Sequence, residues 1–257
     1  MSSYPGRHAE LYDLLYADKP YAEEARFVHR CLQECNIGPA NRLLELACGT
    51  GSHAFELEKF GYQIVATDYS EDMLAIAKQK ARKTLSAIDF RVQDMTNISI
   101  PETDFDGVVC LFDSIGYVVT NERVKSVLDN VYRYLRPDGL FIFEFWHAAA
   151  MLRSYDPVRV RRWDNDRGKV IRISETRLDC PAQLSHVTYN IYELNADGTY
   201  RTLAETQTNR YFLVQEMSHW LSCSGFVPVK WFAGFTDDVN IDERTWHIVA
   251  VARRPAV

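Results

Sequence analysis

The chain has 257 residues, enough for one well-buried α/β core with an insertion and short for two independent domains. With 47% hydrophobic and 25% charged residues it has ordinary globular composition, so a packed core is expected throughout. A net charge of −6 argues against a nucleic-acid substrate, which needs clustered lysine and arginine, and the basic strings RVRRW (159–163) and VARRP (251–255) read as solvated surface.

The chain opens with Tyr12, Tyr16 and Tyr21, then a helical pattern, YAEEARFVHRCLQEC, whose stripe is Ala25, Val28, Leu32 and Cys35. Preceding the core, residues 1–36 are free to fold over it as lid helices. Ile37-Gly38-Pro39 turns the chain into a strand at Leu43 to Ala47. Gly49-Thr50-Gly51 opens a helix over Ser52 to Phe60, Gly61 closes it, and Tyr62 to Thr67 forms a second strand ending at Asp68. Ser70 can cap a helix carrying Met73, Leu74, Ala77 and Ala81. A third strand, Ile88 to Val92, ends at Asp94-Met95, and a fourth runs from Asp106 to Phe112. A helix over Glu122 to Leu135 is stopped by Arg136-Pro137-Asp138-Gly139, and Leu140 to Trp146 is the fifth strand.

Residues 155–213 alternate with period two between turns at 165–168 and 195–198, which predicts an inserted antiparallel β-meander. A helix from Gln215 to Cys223 and strands Phe226–Phe235 and Trp246–Ala252 close the chain. The order predicts one α/β domain over 1–257, with a Rossmann-like doubly wound seven-stranded sheet. Its segments are 1–36 (lid helices), 37–150 (cofactor-binding core), 151–213 (inserted sheet) and 214–257 (closing helix and strand pair).

Residues 1–30 carry scattered charges without an apolar core segment, and no run approaches the ~20 apolar residues of a membrane span. A cytoplasmic protein without a membrane partner is therefore expected. Cys31 and Cys35 lie one helical turn apart, but no second pair or histidine completes a zinc site, and the histidines show no ligand spacing. No metal is expected.

The chemistry centres on Arg42 to Asp68, a strand, glycine turn, helix, strand and acid. The glycines let a bulky ligand lie against bare backbone, and Asp68 can accept from both hydroxyls of a ribose. Read as G-x-G-x-x-G/A, Gly49 to Ala54 would suit a dinucleotide. Glu45 argues otherwise, since a carboxylate before the turn repels a pyrophosphate yet suits the cationic amino-acid end of S-adenosylmethionine (SAM).

The string E-L-A-C-G-T-G resembles motif I of the class I SAM-dependent methyltransferases, with Ala47 in place of the usual first glycine. The likeness continues through Asp68, Gln93-Asp94-Met95 and Phe105 to Tyr117. The strings AELYD (9–13), YAEEA (21–25) and CLFDSIGY (110–117) resemble the N-methyltransferases of TDP-amino sugars, of the desosamine and mycaminose type. The resemblance implies an antiparallel last strand and SAM as cofactor. The cofactor set is then Tyr21, Glu45, Ala47, Gly49, Gly51, Asp68, Tyr69, Met73, Asp94, Met95 and Leu111, with Met73, Asp94 and Met95 at the adenine.

Methyl transfer from a sulfonium draws mostly on positioning, worth roughly 7–11 kcal/mol in well-oriented reactions, so no catalytic triad is required. An amine acceptor still sheds a proton. Candidates at the carboxyl ends of strands four and five are Asp113, Tyr117, Glu144, Trp146 and His147, where open α/β sheets bind ligands. The catalytic set is Tyr16, Tyr117, His147 and Asp113; the acceptor set is Tyr12, Tyr16, Tyr117, Glu144 and Trp146. The related sugar enzymes carry serine and histidine where this chain has Asp113 and Tyr117, which leaves the acceptor open. The reading is a SAM-dependent methyltransferase of a small metabolite, with an amine on a sugar as acceptor. The alternatives are O-methylation of a sugar or related hydroxylated metabolite, an NAD-dependent oxidoreductase, and a non-catalytic SAM-binding subunit. The meander is expected to wall the acceptor site, join a homodimer, or both, through an apolar face of Val170, Ile171, Ile173, Val187, Tyr189 and Ile191.

Overall fold

The structure is a computed structural model and describes residues 6–256. The first five residues of the expected N-terminal lid, and Val257, lie outside the described residues. The main sheet is built from β1 (Arg42–Leu46), β2 (Gln63–Asp68), β3 (Asp89–Val92), β4 (Phe105–Cys110) and β5 (Leu135–Trp146). These five strands are parallel, because helices carry the chain back between them. The meander strands are β6 (Val158–Asn165), β7 (Gly168–Asp179), β8 (Leu184–Asn195) and β9 (Tyr200–Arg210). The closing strands are β10 (Val227–Ala233) and β11 (His247–Arg253), giving the order β10-β11-β5-β4-β1-β2-β3. The last strand, β11, runs antiparallel between β5 and β10.

Alternation divides the core. Leu43 of β1 and Leu140 and Ile142 of β5 face α2 (Tyr21–Cys35), α3 (Ser52–Glu58) and α4 (Glu71–Thr84). Leu44, Leu46, Phe141, Phe143 and Phe145 face α5 (Asn121–Tyr134) and α7 (Val214–Cys223). A short helix α6 (Ala148–Ser154), to which the sequence pattern assigns no element, fills the step from β5 to the meander. Strand five also starts earlier than expected: Leu135 pairs with Phe105, and Arg136 binds Asp106 at 2.7 Å, so the residues expected to form a turn are held against β4.

The meander forms its own antiparallel sheet, β6-β7-β8-β9. Period two places Val170, Val187, Tyr189 and Ile191 on one face and turns Ile171 and Ile173 to the other, so the expected single apolar face mixes two. The first group faces inward with Arg172, Ser174, Gln207 and Asn209, and these four are buried. That face is therefore largely polar, which suits a binding wall better than a core.

Helix α1 (Arg7–Leu15) joins core to meander. Leu11 and Leu15 pack on Val170 and Ile191, while Arg7 and His8 engage Glu193 and Glu205 of β8 and β9. On its other side Asp13 accepts from Thr50 Oγ1 at 2.6 Å, in the glycine turn, and from Lys80 Nζ of α4 at 3.0 Å. The helix thus lies fastened across the carboxyl ends of the strands.

Candidate active site

The glycine turn after β1 follows from its backbone angles. Gly51 sits at φ 80°, and a Cβ there would lie 2.9 Å from the Phe90 ring. Ala47 adopts φ 51°, a left-handed value that strains a residue with a side chain. Asp68 secures the turn from β2: its Oδ2 accepts from Gly49 N and its Oδ1 from Ser70 N, each at 2.8 Å. Burial raises the Asp68 carboxyl despite these bonds.

A cavity opens over this turn, lined by Tyr21, Glu45, Ala47, Gly49, Asp68, Tyr69, Met73 and Leu111 from the expected cofactor set. Gly51 shapes the turn from behind. Glu45 is 2% exposed and its Oε2 is buried without a partner. Burial, and then the neighbouring Asp68, push its carboxyl up to about 8. Asp94 and Met95 do not line this cavity. Asp94 is consumed by its own turn, accepting from Thr96 N and Oγ1 at 2.8 Å, and pairs with Arg123 at 3.4 Å. Met95 packs on the α5 side of the sheet.

A second cavity of about 870 Å³, a size that suits small-molecule ligands, lies under the meander's inner face. The two cavities share Tyr16, Phe112, Trp146 and Tyr189 in their walls. Tyr16 stands edge-on to Phe112 at 5.1 Å, and Tyr12 packs on Tyr16 at 4.7 Å. Tyr12, Asp113 and Tyr117 line the first cavity alone. The Tyr117 hydroxyl donates to Gln207 Oε1 at 2.9 Å. Both Asp113 oxygens are engaged, Oδ1 by Trp146 N at 2.9 Å and Oδ2 by Asn209 Nδ2 at 3.3 Å, and burial pushes the carboxyl well up. Asp113 thus braces the loop, and its oxygens are not presented as a free base.

Of the expected catalytic and acceptor residues, His147 and Glu144 line neither cavity. His147 follows Trp146, so alternation turns it to the opposite face, where Nδ1 meets Thr245 O at 3.1 Å. Burial lowers its pKa. Glu144 is 1% exposed and lies behind the site: Oε2 accepts from Phe112 N at 2.7 Å and Oε1 meets His247 Nδ1 at 2.6 Å. Burial pushes its carboxyl up, but these contacts, His247 foremost, outweigh it and hold it below the usual range.

His247, absent from the sequence-derived set, lines the second cavity. Its partner is 103 residues away, and only the β5–β11 register, His247 opposite Trp146, brings the pair together. Gln207 and Asn209 were missed for the same reason. The RVRRW string is not merely solvated surface, since Arg159, Arg161 and Arg162 enter the second cavity's wall. In VARRP, Arg253 donates to Cys35 O at 2.7 Å and Arg254 to Tyr132 O at 2.9 Å, so both tie the C-terminus down. Among the described residues no cluster of three potential metal ligands occurs, and no helix is long and apolar enough to cross a membrane.

Residues 43–139 match the family described as a methyltransferase domain. A Geobacillus sp. protein named as a methyltransferase is 29% identical over 243 residues, 95% of this chain and 96% of the relative. The dTDP-3-amino-3,4,6-trideoxy-alpha-D-glucopyranose N,N-dimethyltransferase of Streptomyces venezuelae is 32% identical over 145 residues, 56% of this chain and 59% of that enzyme. A SAM-dependent methyltransferase from Clostridium acetobutylicum superposes with a TM-score of 0.83 at 21% identity, covering 97% of this chain and 98% of that one. At that identity the likeness speaks for the fold.

With a methyltransferase domain over residues 43–139, the chain is a SAM-dependent methyltransferase, similar over about half its length to a sugar N-methyltransferase, and its cofactor is SAM. The residues present fit that cofactor. An orphaned carboxylate oxygen on Glu45 suits a molecule with an ammonium and a sulfonium, and the turn at Gly49 offers bare backbone beside Asp68 and Met73.

Proposed function

We propose that this methyltransferase acts on a small metabolite, with an amine on a nucleotide-linked or otherwise modified sugar as acceptor. One observation carries the reading: a cofactor-type cavity and a metabolite-sized cavity meet at Tyr16, Phe112, Trp146 and Tyr189. The acceptor class is supported by the relative named for a dTDP-amino sugar.

SAM supplies an electrophilic methyl group on a sulfonium. The chain's part is to bind, orient, exclude water and accept a proton. Glu45 would hold the ammonium through its unpaired Oε2, Asp68 would accept from the ribose hydroxyls with its remaining lone pairs, and Met73 and Leu111 would line the rest of the pocket. Helix α1, fastened by Asp13, carrying Tyr12 and capped by Tyr16, excludes water from the junction. The aromatic walls hold the acceptor in line, which is where most of the acceleration arises.

The proton goes to His247. With Glu144 ionised, Nδ1 carries the hydrogen that Glu144 Oε1 accepts, and Nε2 keeps the lone pair. The same pair favours a second reading, O-methylation, because a hydroxyl needs such a base more than an amine does.

Calorimetry with SAM, S-adenosylhomocysteine and NAD, followed by turnover with amino-sugar and hydroxy-sugar nucleotides, tests the proposal. Binding of both adenosyl ligands, and turnover on an amino sugar, is expected. NAD binding without a SAM signal would end the reading, and turnover only on hydroxyls would move it to O-methylation.

A further inference from the structure

Arg172 is the unexplained charge of the second cavity. It projects from the inner face of β7 and is 6% exposed. Its Nε and Nη1 atoms are buried without a hydrogen-bond partner. Its guanidinium carbon lies 5.3 Å from the Tyr16 ring, 5.3 Å from Trp163 and 5.2 Å from Tyr189. These faces hold the cation in one place but leave the Nε and Nη1 donors unused. A buried guanidinium with idle donors is costly unless something accepts from them.

The surroundings add to the imbalance. Arg161 sits directly opposite Arg172 across the β6–β7 ladder, and both line the cavity. Like charges directly opposed on neighbouring strands repel, and an anion between them removes the repulsion. Two other cations of the wall are already matched, Lys19 by Glu24 and Arg159 by Asp156. Arg172 also touches Tyr16 and Tyr189, two of the four residues at the junction of the cavities. An anion bound there lies beside the atom to be methylated, so it belongs to the acceptor.

We infer that the acceptor carries an oxyanion, a carboxylate or a phosphoryl group, that docks on Arg172 with Arg161 flanking it. This rests on the methyltransferase reading above and narrows its substrate class to anionic small molecules. The planar guanidinium fork matches either group by two parallel hydrogen bonds, which a lysine does not reproduce.

The test is calorimetric titration of malonate and of inorganic pyrophosphate into the protein saturated with S-adenosylhomocysteine. At least one probe should bind the wild type saturably, and the tighter one identifies the group as carboxylate or phosphoryl. Arg172→Met should weaken that probe by about tenfold or more, the scale of a lost charge-assisted contact, and leave S-adenosylhomocysteine affinity unchanged. Arg172→Lys keeps the charge and should still lose severalfold; Arg161→Gln, at an exposed site, should lose severalfold without loss of stability. If Arg172→Met does not fold, these two variants decide. Absence of saturable anion binding by the wild type, or equal binding by the folded Arg172 and Arg161 variants, overturns the inference. Failure of the wild type to bind S-adenosylhomocysteine would sink the methyltransferase reading instead.

Discussion

Replacing Glu45 by Gln should stabilise the protein and cripple its hold on SAM, and both effects should track pH. The free carboxyl titrates near 4.5, whereas in the folded chain burial holds it up to about 8. Below the lower value both states are protonated and no penalty exists. As pH rises from there, the unfolded chain loses the proton and the native chain keeps it, so stability falls with pH until about 8 and is level beyond. At pH 7 the difference is roughly two and a half pH units, or about 3 kcal/mol at 1.36 kcal/mol per unit. Gln is neutral and of the same shape, so it removes that dependence, although its buried amide leaves part of the polar cost in place. A net gain of about 2 kcal/mol corresponds to a Tm rise of about 4–8 °C at pH 7 for a chain of this size, fading toward pH 4.5. The ionised form is the one that pairs with an ammonium, so wild-type affinity for SAM should rise between pH 6 and pH 8, and that of the variant should stay flat. Scanning calorimetry without ligand and titration calorimetry with SAM, at matched pH values, measure both. A wild-type Tm that runs parallel to that of Glu45→Gln from pH 5 to pH 8, or equal SAM affinity in the two proteins, would refute the reasoning.

His247→Gln should lower single-turnover methylation by about 10²-fold, the lower range for loss of a positioned base, with SAM affinity kept; equal rates would remove His247 from the chemistry. Asp13→Ala breaks the contacts to Thr50 and Lys80 that hold α1 over the turn, so SAM release measured by stopped flow should quicken severalfold, while stability falls by only about 1 kcal/mol because the Lys80 contact is solvent-screened. Ala47→Gly relieves a left-handed residue and should raise stability by up to about 1 kcal/mol in chemical denaturation without weakening SAM binding.

What the sequence made legible is what is local in it. The stretch from Arg42 to Asp68 is continuous, so its strand, turn, helix and acid could be read in order, and one wall of the first cavity is built from it. Alternation likewise gave away the meander, because it is a property of neighbouring residues. Which face a meander residue takes is not local. Val170 and Ile171 read alike until register assigns them to opposite sides, and Arg172 looks like any charge in a strand until its face turns out to be the buried one. Asp94 is ambiguous for a different reason: an aspartate after a strand can serve a ligand or close its own turn, and here one of its oxygens accepts from Thr96. The pairing of His247 with Glu144 was beyond reach, since an antiparallel pairing across a hundred residues creates the contact.

The corner after β4 shows why these distant contacts converge where they do. Phe112 and Asp113 have φ values of 57° and 53°, two successive left-handed residues with side chains, each a costly conformation. Such a corner persists only where its surroundings over-determine it. Glu144 accepts from Phe112 N, Trp146 N and Asn209 Nδ2 donate to Asp113, and Lys19 stands 4.3 Å over the Phe112 ring. The restraints come from β5, from β9 and from the segment joining α1 to α2, so core, meander and lid must all be in place for the corner to form. Phe112 is also one of the four residues shared by both cavities. The junction is therefore assembled by the whole fold, and Glu144, which lines neither cavity, fixes both the wall at Phe112 and the orientation of His247 through its two oxygens.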